Sequence, residues 1–476
     1  MGFLLIIGWL FKETSSYLGL FIFIIVPALM IFGLILIPVG MYFKAKRLKK
    51  GTDKPDKKKY PVLDLNIPRS RNAVLIFSTG TLLLMLFTGL GSYEAFHYSE
   101  SVDFCGKLCH SVMNPMHVAY HNSPHARVAC VECHVGSGAD WYVRSKLSGL
   151  RQVYGVLTDS YETPIGHPIK DLRPARETCE HCHWPEKFYT HQLWNDKTYL
   201  ADSANTEWNI TMQIKTGPSH SALGLTEGIH WHINKNTKIE FISRDEFRED
   251  IPWVRFTDLE TNQVTIYEND DPLSEEDIAS AKIRTMDCID CHNRPSHNYE
   301  TPMKFVDDAI TRGDIPLDLP YIKKVAMDIF LETFTNTDTA IAKIKEYTYS
   351  FYKEEMPEVY ETRKKDIDRA VDGIIYGFNN NIFPEMEVSW DVYPNHIGHK
   401  TYNGCFRCHD GKHISKSEEE PIRRDCNLCH NIVKQGKPGE EVYSNLDVDL
   451  EFIHPVKFKG EEWRQDNCSE CHRYLY

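Results

Sequence analysis

Three things are missing from this chain of 476 residues. Positive charge is short: 54 Lys and Arg face 67 Asp and Glu, a net charge of −13 that argues against nucleic acid as a partner. No signal-peptide cleavage pattern follows either of its two long apolar runs, so both are expected to stay as anchors. No cysteine is unpaired. All fourteen fall into seven close pairs, and the second member of each pair is followed directly by histidine. Zinc ribbons and disulfide frameworks also use paired cysteines, but neither requires that histidine.

Six pairs have the two-residue spacing of c-type haem attachment: Cys130/Cys133, Cys179/Cys182, Cys288/Cys291, Cys405/Cys408, Cys426/Cys429 and Cys468/Cys471. Each site would supply two thioether bonds and an axial imidazole, from His134, His183, His292, His409, His430 and His472. In "FCGKLCHSVMNP" three residues separate Cys105 from Cys109, and His110 follows. This reads as the same site with one residue added. Seven covalently bound haems are expected, in a compartment outside the cytoplasm.

The run from Tyr17 to Phe43 is uncharged for 27 residues and covers roughly 40 Å as a helix. Ala73 to Tyr93 is a second span, and Phe3 to Phe11 is too short to cross alone. The loop between the spans, residues 44–72, holds eleven Lys or Arg against three Asp, which places it in the cytoplasm by the positive-inside rule. Residues 98–476 then lie in the periplasm, anchored to a bacterial inner membrane by residues 1–97. Outside the basic loop the chain is more acidic than the whole, so a basic soluble cytochrome is an expected partner.

Four motifs lie within residues 98–300 and three within 391–476. Residues 301–390 show apolar positions at helical spacing and read as a helical insert. Residues 209–267 alternate like strands, a small antiparallel β insert. The expected fold is therefore a membrane-anchored multihaem cytochrome c: two transmembrane helices and a mostly α/coil, haem-packed periplasmic region carrying that β insert. A further helix, Ala139 to Leu157, places Trp141, Leu147, Leu150, Tyr154 and Leu157 on one face, with Arg144, Lys146 and Arg151 beside it. That pattern suits a helix lying in the membrane interface, or an ordinary surface helix.

Beyond the motif residues there are fifteen further histidines for the remaining axial positions. Iron held by two histidines is saturated and transfers electrons without binding substrate. Candidate distal ligands are His121, His125, His230, His232, His297, His399, His413 and His454, with His396 a further possibility. In a strand, His230 and His232 would share one face and Trp231 the other. Met113, three residues after His110, is a candidate thioether ligand or core filler.

From the second span to His297 the chain resembles the NapC/NirT/NrfH quinol-dehydrogenase cytochromes. The likeness rests on "CHSVMNP", "HNSPHARVACVECHVG", "ARETCEHCH" and "CIDCHNRPSH". It implies a four-haem domain that takes electrons from membrane quinol, menaquinol first among the candidates, near haem 1 and delivers them to periplasmic acceptors. It also implies that His125 serves haem 3, that His297 serves haem 2, and that Met113 matches the family's methionine after the first motif. Lys146 falls where the family places a quinol-contacting lysine. The family's acidic residue beyond that lysine is absent from "SKLSG"; Asp140, on the other side, and Arg144 complete the candidate quinol site. The extra span, the wider first motif and the three C-terminal haems resemble the seven-haem inner-membrane cytochromes of metal-respiring bacteria. Two other functions stay open, a haem anchor subunit for a partner reductase and a terminal oxyanion reductase. The second often uses Cys-x-x-Cys-Lys, which this chain lacks. A homo-oligomer is a further open possibility.

Overall fold

The computed structural model describes residues 64–108, 110–136, 138–166, 174–218, 227–445, 449–458 and 464–474, with scattered positions between 32 and 47. Most of the expected first span, Tyr17 to Phe43, and most of the basic loop of 44–72 lie outside the described residues, as do Cys109 and the side chain of His110. The chain divides into two compact units, one made of residues 1–114 with 129–131 and the other of 115–128 with 132–476.

In the first unit, helix α1 (Pro68–Glu100) begins on a proline, whose fixed φ suits a first helical turn. Its 33 residues reach about 50 Å, more than a bilayer core requires. Among the described residues it is the one helix long and apolar enough to cross a membrane. Large apolar side chains along it are open to the surroundings, Phe77 at 75 %. A surface of that kind is stable in hydrocarbon and costly in water. The expected span of Ala73 to Tyr93 is thus the centre of a longer helix. Ser101 ends α1 and caps α2 (Val102–Lys107), its hydroxyl accepting the Phe104 N–H at 3.1 Å.

The second unit is built on two antiparallel sheets and a helical core. The first sheet has the order β1-β2-β8-β9, with β1 (Gln192–Tyr199), β2 (Glu207–Ile214), β8 (His430–Gly436) and β9 (Val442–Tyr443). The second has the order β6-β3-β4-β5-β7, with β3 (Thr237–Ile242), β4 (Trp253–Asp258), β5 (Val264–Glu268), β6 (Arg284–Thr285) and β7 (Ile414–Ser415). The expected single insert of 209–267 is therefore corrected to two sheets, and each takes a strand from beyond residue 400. Asn209 of β2 stands opposite Gly436 of β8, and Tyr267 of β5 opposite Ser415 of β7. Alternation reveals a strand but not its partner, which is why the sequence hid this pairing. The sheets join the four-motif and three-motif segments across the boundary drawn near residue 300.

Helices α3 (His110–His121), α4 (Cys130–His134), α5 (Ala139–Leu157), α6 (Ala175–Cys179) and α7 (Cys288–Cys291) accompany the first motifs, and α8 (Pro302–Arg312), α9 (Ile322–Ile329), α10 (Thr337–Glu355) and α11 (Lys364–Asn381) occupy the cysteine-free segment. Their apolar faces bury Val306, Ile315, Leu319, Ile322, Ile344, Ile367, Ile374 and Phe378 in one core. Thr301 caps α8, and Gly313, at φ +79°, ends it in the left-handed conformation glycine adopts without strain. Gly377 of α11 lets α8 come close, since a Cβ there would stand 2.5 Å from the Phe305 ring.

This core is fastened to the first sheet by buried polar contacts. Lys323 Nζ donates to Asp307 at 2.6 Å and to the Met303 carbonyl at 2.9 Å. Asp307 also accepts the Tyr199 N–H from β1 at 3.2 Å. Asn205, in the β1–β2 turn, donates to the carbonyls of Leu317 and Leu319 at 2.8 and 2.9 Å and accepts the Lys323 N–H at 3.0 Å. Each of these buried polar side chains is hydrogen-bonded, as burial demands.

Candidate metal centres

The Cys-x-x-Cys spacing becomes intelligible once folded. Several motifs form one turn of helix, including α4 (Cys130–His134), α7 (Cys288–Cys291) and a C-terminal turn, Cys468–His472. Residues three apart on a helix share a face, so one planar group can reach both cysteines. Asp287 and Asn467 start two of these turns with capping boxes closed by Asp290 and Glu470. Within the first unit the Cys105 and Cys130 thiols hydrogen-bond, and that bond holds Cys130 down to about 7 against the opposing effect of burial. In the second unit Cys179, at the end of α6 (Ala175–Cys179), hydrogen-bonds Cys288 in the same way.

Cys133, Cys182 and Cys471, the second members of their pairs, are open to the surroundings, as are Cys291, Cys405 and Cys426. The first members Cys130, Cys179 and Cys468 are half-buried. The assignment of Cys133, Cys182 and Cys471 as attachment points rests on spacing and on the histidine that follows each. Exposure is compatible with that chemistry, since a thioether forms only on a sulfur that the incoming group can reach.

Six motif histidines each face one histidine from elsewhere in the chain. The ring centres of His134 and His297 lie 6.2 Å apart, of His183 and His125 6.0 Å, and of His292 and His230 6.3 Å. Those of His409 and His232 lie 5.8 Å apart, of His430 and His399 6.2 Å, and of His472 and His454 6.0 Å. A first-row metal takes an imidazole nitrogen at about 2 Å, and that nitrogen is about 1.1 Å from its ring centre, so two rings on one ion stand roughly 6.3 Å apart. All six separations match. Among the described residues no three His, Cys, Asp or Glu side chains gather as a protein-only metal cage, so each centre offers two ligands and leaves a plane between them.

The protonation of these rings suits ligation. His125 Nδ1 donates to the Pro295 carbonyl at 3.1 Å, His297 Nδ1 to Met116 at 3.1 Å, His230 Nδ1 to Thr216 at 2.7 Å and His232 Nδ1 to Ile229 at 2.9 Å. A carbonyl only accepts, so Nδ1 carries the proton and the Nε2 lone pair is left for a metal. His409 is fixed likewise by the Arg423 carbonyl at 2.8 Å. Burial pushes His232, His297, His399 and His472 down to about 4, and lowers His134, His230, His292, His409 and His430 as well. Near pH 7 these rings are neutral, the form that binds metal. Phe188 stacks on His230 at 4.3 Å and Phe406 on His399 at 4.3 Å, which sets the ring planes.

His230 and His232 do not sit in a strand. They belong to a 3-10 turn, Ile229–Ile233, entered through Gly228 at φ +84°, where a Cβ would meet the Lys215 carbonyl at 2.6 Å. The turn sends the two rings to different motifs, one at Cys288 and one at Cys405, in place of the expected shared face. Two other candidates face no motif histidine among those whose side chains are described. His121, at the end of α3 (His110–His121), faces His117 one turn earlier, with Nε2 atoms 3.1 Å apart. His413 is buried, with Nδ1 2.9 Å from Asp410 Oδ1 and Nε2 2.7 Å from the Ile251 carbonyl. Both partners accept, so the ring is an imidazolium with no lone pair to give. His396 has Nδ1 on the Asp290 carbonyl at 3.1 Å and Nε2 3.1 Å from Glu249.

The sequence reading missed the charges around Asp290. Its carboxylate accepts Arg248 at 2.6 Å and Arg284 at 2.7 Å, while Arg407, inside the fifth motif, donates to its carbonyl at 2.6 Å. The fourth and fifth motifs are thereby tied together. An acidic residue between two motif cysteines was the available signal.

The candidate quinol residues divide between the units. Met113 lies half-buried on α3 in the first unit, one turn beyond His110. Lys146, Arg144 and Asp140 lie on α5 (Ala139–Leu157) in the second. Lys146 Nζ stands 5.1 Å from the Tyr142 ring centre and Arg144 5.3 Å from that of Trp141. Val143, Leu147, Leu150, Tyr154 and Leu157 form one straight stripe on α5 and are 54 to 70 % exposed. Trp141 is half-buried beside the stripe, and Val143 takes the place expected of it.

Imidazoles paired at a metal-sized distance beside Cys-x-x-Cys-His turns fit a multihaem c-type cytochrome, and the apolar helix α1 fits a membrane anchor. Paired cysteines with two facing imidazoles are the donors that covalent haem requires. Residues 68–167 match the N-terminal region of the NapC/NirT cytochrome c family. The chain is also 44 % identical over 457 residues to the cytochrome c-type protein ImcH of Geobacter sulfurreducens, covering 96 % of this chain and 88 % of that one. It belongs to the NapC/NirT cytochrome c family. No solved structure matches it.

Proposed function

We propose that the chain is a seven-haem quinol:cytochrome oxidoreductase of the inner membrane, taking electrons from membrane quinol and delivering them to periplasmic acceptors in anaerobic or extracellular respiration. The observation that carries this reading is the set of six histidine pairs. Haem iron held between two imidazoles supplies reversible one-electron transfer and offers no open position to a substrate. A terminal reductase would need such a position. The fourteen motif cysteines, Cys133, Cys182 and Cys471 among them, would hold the haems by thioethers. His134/His297, His183/His125, His292/His230, His409/His232, His430/His399 and His472/His454 would be the axial pairs. His110 and Met113 would serve the first haem.

The exposed stripe of α5 would rest among lipid headgroups, since exposed Leu147, Leu150 and Leu157 gain by leaving water. Lys146 and Arg144 then lie at that surface. A cation there stabilises the oxyanion that develops as a quinol hydroxyl gives up its proton. Asp140, exposed at the start of α5, is the proposed proton acceptor. The test is oxidation of a menaquinol analogue by the full chain in liposomes, with a soluble cytochrome as acceptor. The reading expects turnover, slowed at least tenfold in Lys146→Ala with all haems in place. No turnover by the wild type, or turnover only with a co-purifying large subunit, would contradict it.

A further inference from the structure

Arg294 lies between the fourth motif histidine, His292, and His297, and it is 6 % exposed. Its Nε and Nη2 have no hydrogen-bond partner among the described residues. The faces of Tyr299 and Tyr393 line it, with ring centres 5.4 and 4.4 Å from the guanidinium carbon. Burial pulls its pKa below the ordinary value, and the groups that oppose that pull are the phenols of Tyr299, Tyr393 and Tyr402, none of them a carboxylate. A cation out of water without an anion is among the costliest arrangements in a protein.

Other buried cations of the second unit are provided for. Lys323 meets the Asp307 carboxylate at 2.6 Å, and Arg248 meets that of Asp290 at 2.6 Å. Arg407 spends its donors on the carbonyls of Gly404, Arg248 and Asp290, at 2.8, 2.8 and 2.6 Å. Arg294 alone among these keeps two donor nitrogens unused. Its charge acts directly on His297, whose ring faces His134 across a metal-sized gap.

The group that fits this gap brings its own anions, because a haem carries two propionate carboxylates on one edge. We propose that Arg294 binds a propionate of the haem held between His134 and His297, through Nε and Nη2. The proposal rests on the haem reading of that histidine pair. A guanidinium fork matches a carboxylate with two parallel hydrogen bonds, a geometry that lysine does not reproduce. The fixed positive charge favours the reduced, less positive iron and keeps the propionate ionised, so that haem holds a higher and less pH-dependent potential than it otherwise would.

The experiment is a spectroelectrochemical titration of the full chain at several pH values, for the wild type, Arg294→Gln and Arg294→Lys, with haem counted as the pyridine haemochrome. In Arg294→Gln one low-spin midpoint should fall while the others hold, and it should become pH-dependent between about pH 6 and 8, where a group next to a lost cation regains its proton. Arg294→Lys should show a smaller fall. Midpoints unchanged in Arg294→Gln with a full haem count would overturn the proposal. So would a wild-type midpoint that follows chloride concentration, which would assign the cation to a mobile anion. A haem count already short in the wild type would instead overturn the haem reading beneath it. If Arg294→Gln loses the haem, Arg294→Lys decides by resonance Raman: a shifted propionate-bending band supports the contact and an unshifted one refutes it.

Discussion

His230 and His413 are both candidate distal ligands in the sequence, and the structure separates them by what their nitrogens face. His230 gives one nitrogen to a carbonyl and keeps the other, whereas His413 gives both away. The motif cysteines and histidines could be read directly because their chemistry is local. Which of them stand open to the surroundings could not. Distal partners were hidden too, because the pairing of His134 with His297 or His183 with His125 is made through space. His125 and His297 came from family likeness, and sequence alone did not part His399 from His413. Replacing His230 or His232 with alanine should each turn one low-spin haem high-spin in the EPR spectrum, while His121→Ala leaves every haem low-spin.

His413 carries a pH dependence with a definite sign. Burial works against its charge, but Asp410 and the Ile251 carbonyl outweigh that and raise its pKa above the ordinary value. A group raised on folding stabilises fully below its unfolded pKa, about 6.5, and loses that contribution as pH climbs through the folded value. His413→Gln should therefore cost about 1.5–3 kcal/mol below pH 6.5, the worth of hydrogen bonds to a charged group. The gap between wild type and variant should narrow toward pH 8.5 in thermal unfolding. A gap that widens with pH would show the ring to be neutral.

Elements with a period of their own were legible. The apolar spacing of residues 301–390 belongs to α8 through α11, and the run from Ala73 to Tyr93 to α1. What escaped was whatever depended on a partner: the strand β1, the recruitment of β7 and β8, and the turn that replaced a strand at His230. Buried polar pairs escaped for the same reason, since nothing local marks Asp307 and Lys323 as companions. Lys323→Met leaves Asp307 buried and unpaired, which should cost about 3–5 kcal/mol in urea unfolding followed by far-UV circular dichroism. Joining it to Asp307→Asn should recover part of that loss, because the stranded charge is then gone. A double variant as unstable as the two losses added would refute the pairing.

Across the whole molecule, the chain repeats one device six times: a Cys-x-x-Cys-His motif answered by a histidine brought from elsewhere. The two sheets pair strands from both sides of the cysteine-free segment, and the six histidine pairs all lie in the second unit. The acidic exterior, net −13 even with its basic loop included, suits encounter with a basic acceptor. Electron delivery to a lysine-rich soluble cytochrome should slow as ionic strength rises from about 20 to 500 mM, where the Debye length shrinks below 5 Å. Delivery to an uncharged acceptor should not change.

The central claim is that six of seven covalently attached haems are held by two histidines each. Magnetic circular dichroism of the purified full chain, with the pyridine haemochrome giving the haem count, measures it directly. The account predicts seven haems per chain, six of them with the near-infrared signature of bis-histidine ferric haem and the one at Cys105 free to differ. Fewer than six bis-histidine haems at full loading, or a methionine- or water-ligated haem at any motif from Cys130 onward, would contradict it.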